Sequence, residues 1–258
     1  MAMPGSRLWS TLYGAVALAV FSLLLFVASV LALIVPGLSL RRRLIRTLAR
    51  IGLMVLGLRI SVRGADHLPQ SSCIVVANHC SYLDGVVLKA VLPPRFSFVI
   101  KREAAAYPVA GLLLHRIGSE FVDRGSLGGR QSDARRVVRR AEAGHSLVFF
   151  PEGTFTAEPG LRRFHVGAFV AAARARQTLV PVVIRGTRRS MPSGTIVPRA
   201  GRLDVDILEP LLPGPERDAA ETLRREARRR MLACLGEPDL ETSVSAVPEA
   251  SGAADRCS

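Results

Sequence analysis

Cys73-Ile74-Val75-Val76-Ala77-Asn78-His79-Cys80-Ser81-Tyr82-Leu83-Asp84 is the stretch from which the rest of the chain can be read. Its first five residues form a short apolar run, rich in β-branched side chains, that breaks into polar residues. That is the pattern of a buried strand entering a turn. His79 and Asp84 lie five positions apart, whereas neighbours on one helix face lie three or four apart. The spacing therefore puts His79 in the turn at the strand's C-terminal end and Asp84 in the first turn of the following helix. From there a carboxylate can hold an imidazole in one tautomer while the other ring nitrogen takes a proton from a hydroxyl. A plain strand-to-helix turn capped by Asn78 or Ser81 fits the same residues. Cys80 adjoins His79, but adjacent side chains diverge, and a thiol nucleophile is the weaker reading.

Three further apolar runs end in chemically loaded turns. Gly118-Ser119-Glu120-Phe121-Val122-Asp123-Arg124 brings an arginine to the end of a strand-like segment. Val148-Phe149-Phe150-Pro151-Glu152-Gly153-Thr154 breaks into a Pro/Gly turn, and Leu179-Val180-Pro181-Val182-Val183-Ile184 is a fourth strand with proline near its start. A permanently charged guanidinium at Arg124 suits a phosphate, and a glycine turn lets backbone N–H groups approach an anion. A surface salt bridge to Asp123 or Glu120 is the plainer role for Arg124, and helix capping is the plainer role for Glu152. Between these runs, helical patterns are expected over 85–92, 107–117, 131–143, 162–176 and 216–235, with an edge-like strand over 203–208. Alternating strand and helix predicts an α/β layered domain, its largely parallel central sheet flanked by helices and its site at the strand C-terminal ends.

The N-terminus is of another kind. No charged residue occurs from Leu8 to Leu40, and Leu12 to Val35 is almost wholly apolar, more than the ~20 residues a helix needs to cross a bilayer and longer than a signal-peptide core. Residues 1–40 are expected to form a transmembrane anchor, and 41–58, where Arg41, Arg42, Arg43, Arg46 and Arg50 alternate with apolar residues, a basic amphipathic interfacial helix. The arginines after the anchor place the rest of the chain on the cytoplasmic side of the inner membrane. The main domain is expected over 59–235, and small, acidic and proline residues over 236–258 predict a disordered tail. A formal charge of +14 requires an anionic partner. With aromatic residues at 5% and no nucleic-acid-binding signature, anionic membrane lipids are expected rather than nucleic acid. Cys73, Cys80, Cys234 and Cys257 lack metal-ligand spacing and are expected to be reduced. No metal or tightly bound cofactor is implied, and no G-x-S-x-G nucleophile elbow is present.

In this order, the four strand-turn stretches resemble the sequence blocks of the glycerophospholipid acyltransferases, the 1-acyl-glycerol-3-phosphate acyltransferase family, over about Arg59 to Glu209. The resemblance implies an acyl group moved from acyl-CoA or acyl-carrier protein to the free hydroxyl of a lysophospholipid, 1-acyl-glycerol-3-phosphate first among them. His79 would be the general base and Asp84 its orienting partner. Arg124, Lys101 and the Glu152-Gly153-Thr154 turn would hold the acceptor, and the Val180-Pro181-Val182 block would shape the acyl site. One departure stands out. Members acting on lysophosphatidic acid often carry Arg-Ser after the Glu-Gly-Thr turn, where this chain has Phe155-Thr156. Lys101, Arg102, Arg162, Arg163 and His165 are the candidates to compensate. The same departure keeps open another lyso-lipid acceptor, such as an amino-acid-containing lipid; a non-catalytic, membrane-tethered lipid-binding protein is the remaining alternative.

Overall fold

The computed structural model describes residues 4–123, 127–195 and 197–243. Two helices come first, α1 (Pro4–Ile34) and α2 (Leu38–Val55), followed by strands β1 (Leu58–Arg63) and β2 (Cys73–Ala77). Helix α3 (Leu83–Val91) leads into β3 (Ser97–Lys101), then α4 (Pro108–Arg116) and β4 (Glu120–Val122). Next come α5 (Leu127–Glu142), β5 (Leu147–Phe149), α6 (Gly167–Ala175), β6 (Thr178–Arg185) and the short α7 (Thr187–Ser190). Strand β7 (Gly201–Ile207), helix α8 (Ala219–Leu235) and a final turn α9 (Leu240–Ser243) complete the described chain.

The seven strands form one sheet in the order β1-β7-β6-β2-β5-β3-β4. From β6 to β4 all neighbours are parallel; β7 runs antiparallel to β6 and carries β1 parallel beside it. Strand β2 is buried along its whole length, as a central strand covered on both faces should be. Its side chains alternate between two cores. Cys73, Val75 and Ala77 pack with α2 and α3 on one face, and Ile74 and Val76 pack with α5, α6 and α8 on the other. The expected layered α/β architecture is present. The segment expected as an edge is not at the edge: β7 lies inside the sheet because β1, whose period-two signal is short and interrupted by arginines, covers it.

The α1–α2 pair lies over the sheet's first face. Helix α1 turns Ala17, Ala28 and Ala32 inward and leaves Leu12, Val16, Leu23, Phe26 and Leu33 exposed, so its large apolar side chains face outward. Small inward residues let the helix backbones approach closely. The Tyr13 hydroxyl donates to the Leu56 carbonyl near one end of α1, and the Arg116 guanidinium donates to the Ala32 and Leu33 carbonyls near the other. Helix α2 begins at Leu38, three residues before its expected start, and is docked rather than loosely attached. Arg42 is buried and donates to the carbonyls of Ile117, Arg95 and Gly118 and to the Ser97 hydroxyl. Arg46 and Arg50 donate to the Ala90 and Val91 carbonyls, the C-terminal end of α3, where a cation also complements the helix dipole. The interfacial expectation overlooked this use of the arginines: with Arg41, which donates to the Arg116 carbonyl, four of the five hold backbone carbonyls of the domain.

The tail boundary also shifts. Residues 236–243 pack on the domain, because Arg228 pairs with Asp239 and Glu241, and Arg188 with Glu237. Acidic residues that compositionally suggest a disordered tail are here the counter-ions of α7 and α8. Residues 244–258 lie outside the described residues.

Candidate active site

The C-terminal ends of β2 and β5 meet at the catalytic candidate. The Asn78 side chain bolts this edge: its Nδ2 donates to the Ile184 carbonyl and its Oδ1 accepts the Ile184 N–H, so β2 is tied to β6 as the strand ends. The chain then turns, and Asp84, fully buried in the first turn of α3, collects the turn's donors. Its Oδ2 accepts the N–H groups of Cys80 and Ser81 at 2.7 and 2.8 Å and faces His79 Nδ1 at 2.9 Å. A carboxylate on Nδ1 fixes that nitrogen as the donor and leaves Nε2 as the base. Nε2 has no hydrogen-bond partner among the described residues, and the His79 side chain remains 19% exposed. Sequence spacing brought these two residues together, and the structure does the same.

Glu152 occupies the other side of the turn, in a role the sequence did not suggest. It is buried; Oε1 accepts the His79 N–H at 2.7 Å and Oε2 the Arg162 N–H at 2.9 Å. Both oxygens are thus spent on backbone, joining the end of β2 to the loop after β5. Burial pushes the Glu152 carboxyl up to about 7, against the two N–H groups that favour its charged form. Gly153 supports the turn with a φ of 76°, a left-handed conformation that side chains resist, while its N–H donates to the Phe150 carbonyl. Thr154 is exposed beside it.

Aromatic rings wall the imidazole. Phe150 stacks on His79 at 4.3 Å, Phe155 meets it edge-on at 4.7 Å, and Tyr82 meets Phe155 edge-on at 4.8 Å. Sequence reading missed Phe150 and Tyr82, although the alternation of Phe149 and Phe150 across the strand is the signal that aims one into the core and the other at the site. Phe155, noted only as a missing arginine, is a wall of the site. Cys80 points away, its Sγ 3.1 Å from the Thr187 hydroxyl; burial and the Asp84 charge push its thiol up to about 12, so it stays protonated and is no nucleophile. Ser81 donates to the Met191 carbonyl and is buried structure.

The anion-binding candidates spread along the same edge. Parallel register aligns Ile74, Leu147 and Ser97, so Lys101 lies level with Asn78 and Pro151, two strands and ~10 Å from the catalytic strand. Arg124 lies outside the described residues. The strand leading to it is held firmly: Asp133 accepts the Asp123 N–H and pairs with Arg102 and Arg136. Burial would raise the Asp133 carboxyl, but those donors bring it below the usual carboxylate range. Arg102 is therefore engaged. Arg163 is exposed and reaches Glu241 at 3.7 Å. Arg162, half-buried and tied by its N–H to Glu152, places a guanidinium near the turn. Among the described residues no cluster of three or more His, Cys, Asp or Glu could hold a metal ion.

Comparison with known proteins places the chain among acyltransferases. The family model described as Acyltransferase matches residues 59–185. A lyso-ornithine lipid O-acyltransferase of Pseudomonas aeruginosa is 32% identical over 214 residues, covering 76% of this chain and 80% of the relative. The 1-acyl-sn-glycerol-3-phosphate acyltransferase alpha of Bos taurus is 31% identical over 214 residues, covering 80% of this chain and 75% of the relative. The crystal structure of the 1-acyl-sn-glycerophosphate (LPA) acyltransferase PlsC from Thermotoga maritima superimposes with a TM-score of 0.70 over 95% of this chain and 99% of that one. At 21% identity it speaks to the fold.

Proposed function

The chain belongs to the acyltransferase family, and from that membership we propose that it moves a fatty acyl group from a thioester to the free hydroxyl of a lyso-lipid. The observation that carries the reading is the His79–Asp84 pair at 2.9 Å, with Nε2 unpartnered on the open side of the ring. The acceptor's O–H proton passes to Nε2 as its oxygen attacks the thioester carbonyl. Collapse of the tetrahedral intermediate then forms the ester and expels the thiolate, which takes the proton back from His79. Acyl-CoA and acyl-carrier protein are both anionic and both suit a basic surface. Lys101, Arg124 and Arg162 would hold the acceptor's anion from the strand ends, while Glu152 and Gly153 keep the turn in shape. Arg124→Ala is expected to lower kcat/KM for a phosphate-bearing acceptor by about ten- to a hundredfold, since charge-assisted hydrogen bonds are worth roughly 1.5–3 kcal/mol.

1-Acyl-glycerol-3-phosphate is the first acceptor to test. An amino-acid-containing lyso-lipid is the second, favoured by one observation: an aromatic ring, Phe155, packs against His79 where the resembling phosphate-lipid enzymes carry arginine. Membranes containing the protein, supplied with labelled acyl donor and a panel of lyso-acceptors, separate these readings. Product from lysophosphatidic acid supports the first, product only from an amino-acid lipid the second. No product from any acceptor would leave a lipid-binding protein.

The setting we propose is the inner membrane, with the domain on its cytoplasmic side. Helix α1 holds a stretch long and apolar enough to cross a bilayer, Leu12–Ile34. Its docking supports a seat within one leaflet instead of a crossing. The two ties to the domain, at Tyr13 and at Ala32, are 19 residues and so ~28 Å apart, about the thickness of the hydrocarbon core. A perpendicular crossing would drag Arg42, Arg46 and Arg116 into that core along with α2 and α4. The outward stripe of large side chains on α1, with Met54 and Val55 on α2, is the surface that would enter the leaflet. With Ser6→Cys as the sole cysteine, an impermeant thiol reagent is expected to label the protein from the same side as the domain. Labelling from the opposite side would show that α1 crosses.

A further inference from the structure

Beneath the catalytic edge lies a cavity of about 420 Å3 that the chemistry above leaves unassigned. It reaches the site at Tyr82 and Phe150, whose rings touch Phe155 and His79, and runs down between α1, α2, α3 and strand β3. Leu24, Leu48, Phe98 and Leu113 are typical of its walls. Tyr82, which caps α3, and Val86 and Lys89 within it are spaced four and three apart, so all three share one face and the lysine lies ~10 Å below the tyrosine.

Lys89 and Ser119 interrupt these walls with polar groups. Lys89 makes no hydrogen bond among the described residues, and its Nζ rests 4.2 Å from the centre of the Phe98 ring. The Ser119 hydroxyl, on the connection between α4 and β4, is buried and has no hydrogen-bond partner among the described residues. A buried polar group left unpartnered is costly, and most are satisfied. Burial, with the Arg42 guanidinium close by, brings the Lys89 amine down to about 7.

We propose that Lys89 and Ser119 form a polar subsite for a hydroxyl carried partway along the donor's acyl chain, so that hydroxyacyl thioesters are selected over unsubstituted ones. The inference rests on the acyl-transfer reading above and deepens it. With its carbonyl at His79, an acyl chain enters the cavity past Tyr82 and Phe150 and its middle passes the lysine. A hydroxyl there accepts from Lys89 Nζ and donates to Ser119 Oγ, satisfying both groups at once. A plain methylene satisfies neither, and a carboxylate would bring a second full charge into an apolar enclosure. Sites built to hydrogen-bond a substrate hydroxyl discriminate strongly against the analogue that lacks it.

The test uses the full-length protein in membranes, one acceptor, and thioesters of a single chain length. These carry either no hydroxyl or one hydroxyl at successive positions beyond the third carbon. The wild type is expected to prefer one hydroxyl position over the plain chain by about tenfold or more in kcat/KM. Lys89→Met and Ser119→Ala are each expected to bring that ratio down by about tenfold, with thermal melting confirming that both fold. A wild-type ratio near one at every position, or a high ratio that neither variant moves, would overturn the subsite while leaving acyl transfer intact. Failure of the wild type to use any of the thioesters would overturn both readings.

Discussion

The turn around His79 and the cavity below it are built on opposite principles. In the turn the buried polar groups are paired around a free Nε2: Asp84 holds two backbone N–H groups and the imidazole, Glu152 holds two more, and Asn78 clips β2 to β6. In the cavity the Ser119 hydroxyl has no partner among the described residues, and the Lys89 amine rests on the Phe98 ring amid apolar side chains. A satisfied network fixes geometry in advance of reaction, which is what a general base needs. Unsatisfied groups lower stability and persist where a ligand completes them. Substitutions should therefore damage function in the first region and raise stability in the second.

The largest effect is expected at the base. His79→Ala should reduce acyl transfer by about a hundred- to ten-thousandfold while leaving membrane association intact, and a tenth of the wild-type rate surviving would refute the assignment. Asp84→Asn should leave a residual rate, because the imidazole survives but its tautomer is no longer fixed. That change also places an amide where three donors converge, so a modest fall in melting temperature should accompany it.

Glu152 comes next. Glu152→Ala strands two backbone N–H groups, each worth about 1–3 kcal/mol when buried and unpaired, and loosens the His79 turn. We expect kcat to fall by about ten- to a hundredfold, with KM less affected. The carboxyl's raised value carries a sign. Between about pH 4.5 and 7 the unfolded chain has released this proton and the folded protein has not, so stability present below pH 4.5 is lost as pH rises towards 7. Glu152→Gln should therefore lose less stability than wild type across that window in parallel denaturation curves. Parallel pH profiles would mean that Glu152 is charged throughout.

Lys89 should behave oppositely to the turn. Its lowered value means the folded protein binds fewer protons between about pH 7 and 10.5, so the penalty is full below pH 7 and fades as pH rises. Lys89→Met should raise the melting temperature most at pH 6 and least at pH 10, the difference amounting to a few kcal/mol at about 1.4 kcal/mol per pKa unit. A destabilised variant would remove the contrast between the two regions.

Sequence was informative in proportion to how local the signal was. The strand at Cys73–Ala77, the His79–Asp84 spacing and the α/β alternation are contained in windows of a dozen residues, and they appear where expected. What stayed hidden depends on residues far apart in the chain. Glu152 meets the His79 N–H across 73 positions, and Arg42 reaches Ser97 across 55. Five basic residues after an apolar helix read as a lipid-facing cluster because nothing nearby supplies acceptors; the acceptors are carbonyls brought in by α3 and α4. The pairing of Arg228 with Asp239 and Glu241 likewise orders a tail whose composition alone suggests disorder. The cavity's polar groups were invisible for the same reason, since Lys89 and Ser119 line one cavity only after β3, α3 and α4 have packed.

Phe155 lies at the border of the two regions, one of the aromatic rings that wall the imidazole, and its substitution should have the smallest effect. Edge-on aromatic contacts are worth about 0.5–1.5 kcal/mol, so Phe155→Leu should lower kcat/KM by about two- to tenfold by relaxing the walls around His79 and Tyr82. Phe155→Arg probes the acceptor. A guanidinium there would face His79 and pair with a phosphate, so the variant should gain on lysophosphatidic acid relative to an amino-acid-containing lyso-lipid. The measurement is the ratio of kcat/KM for the two acceptors, which cancels any general damage to the turn. A rise confirms that Phe155 sets acceptor preference from the edge of the site. An unchanged ratio in both variants would reduce the ring to packing, and acceptor choice would then rest with Lys101, Arg124 and Arg162.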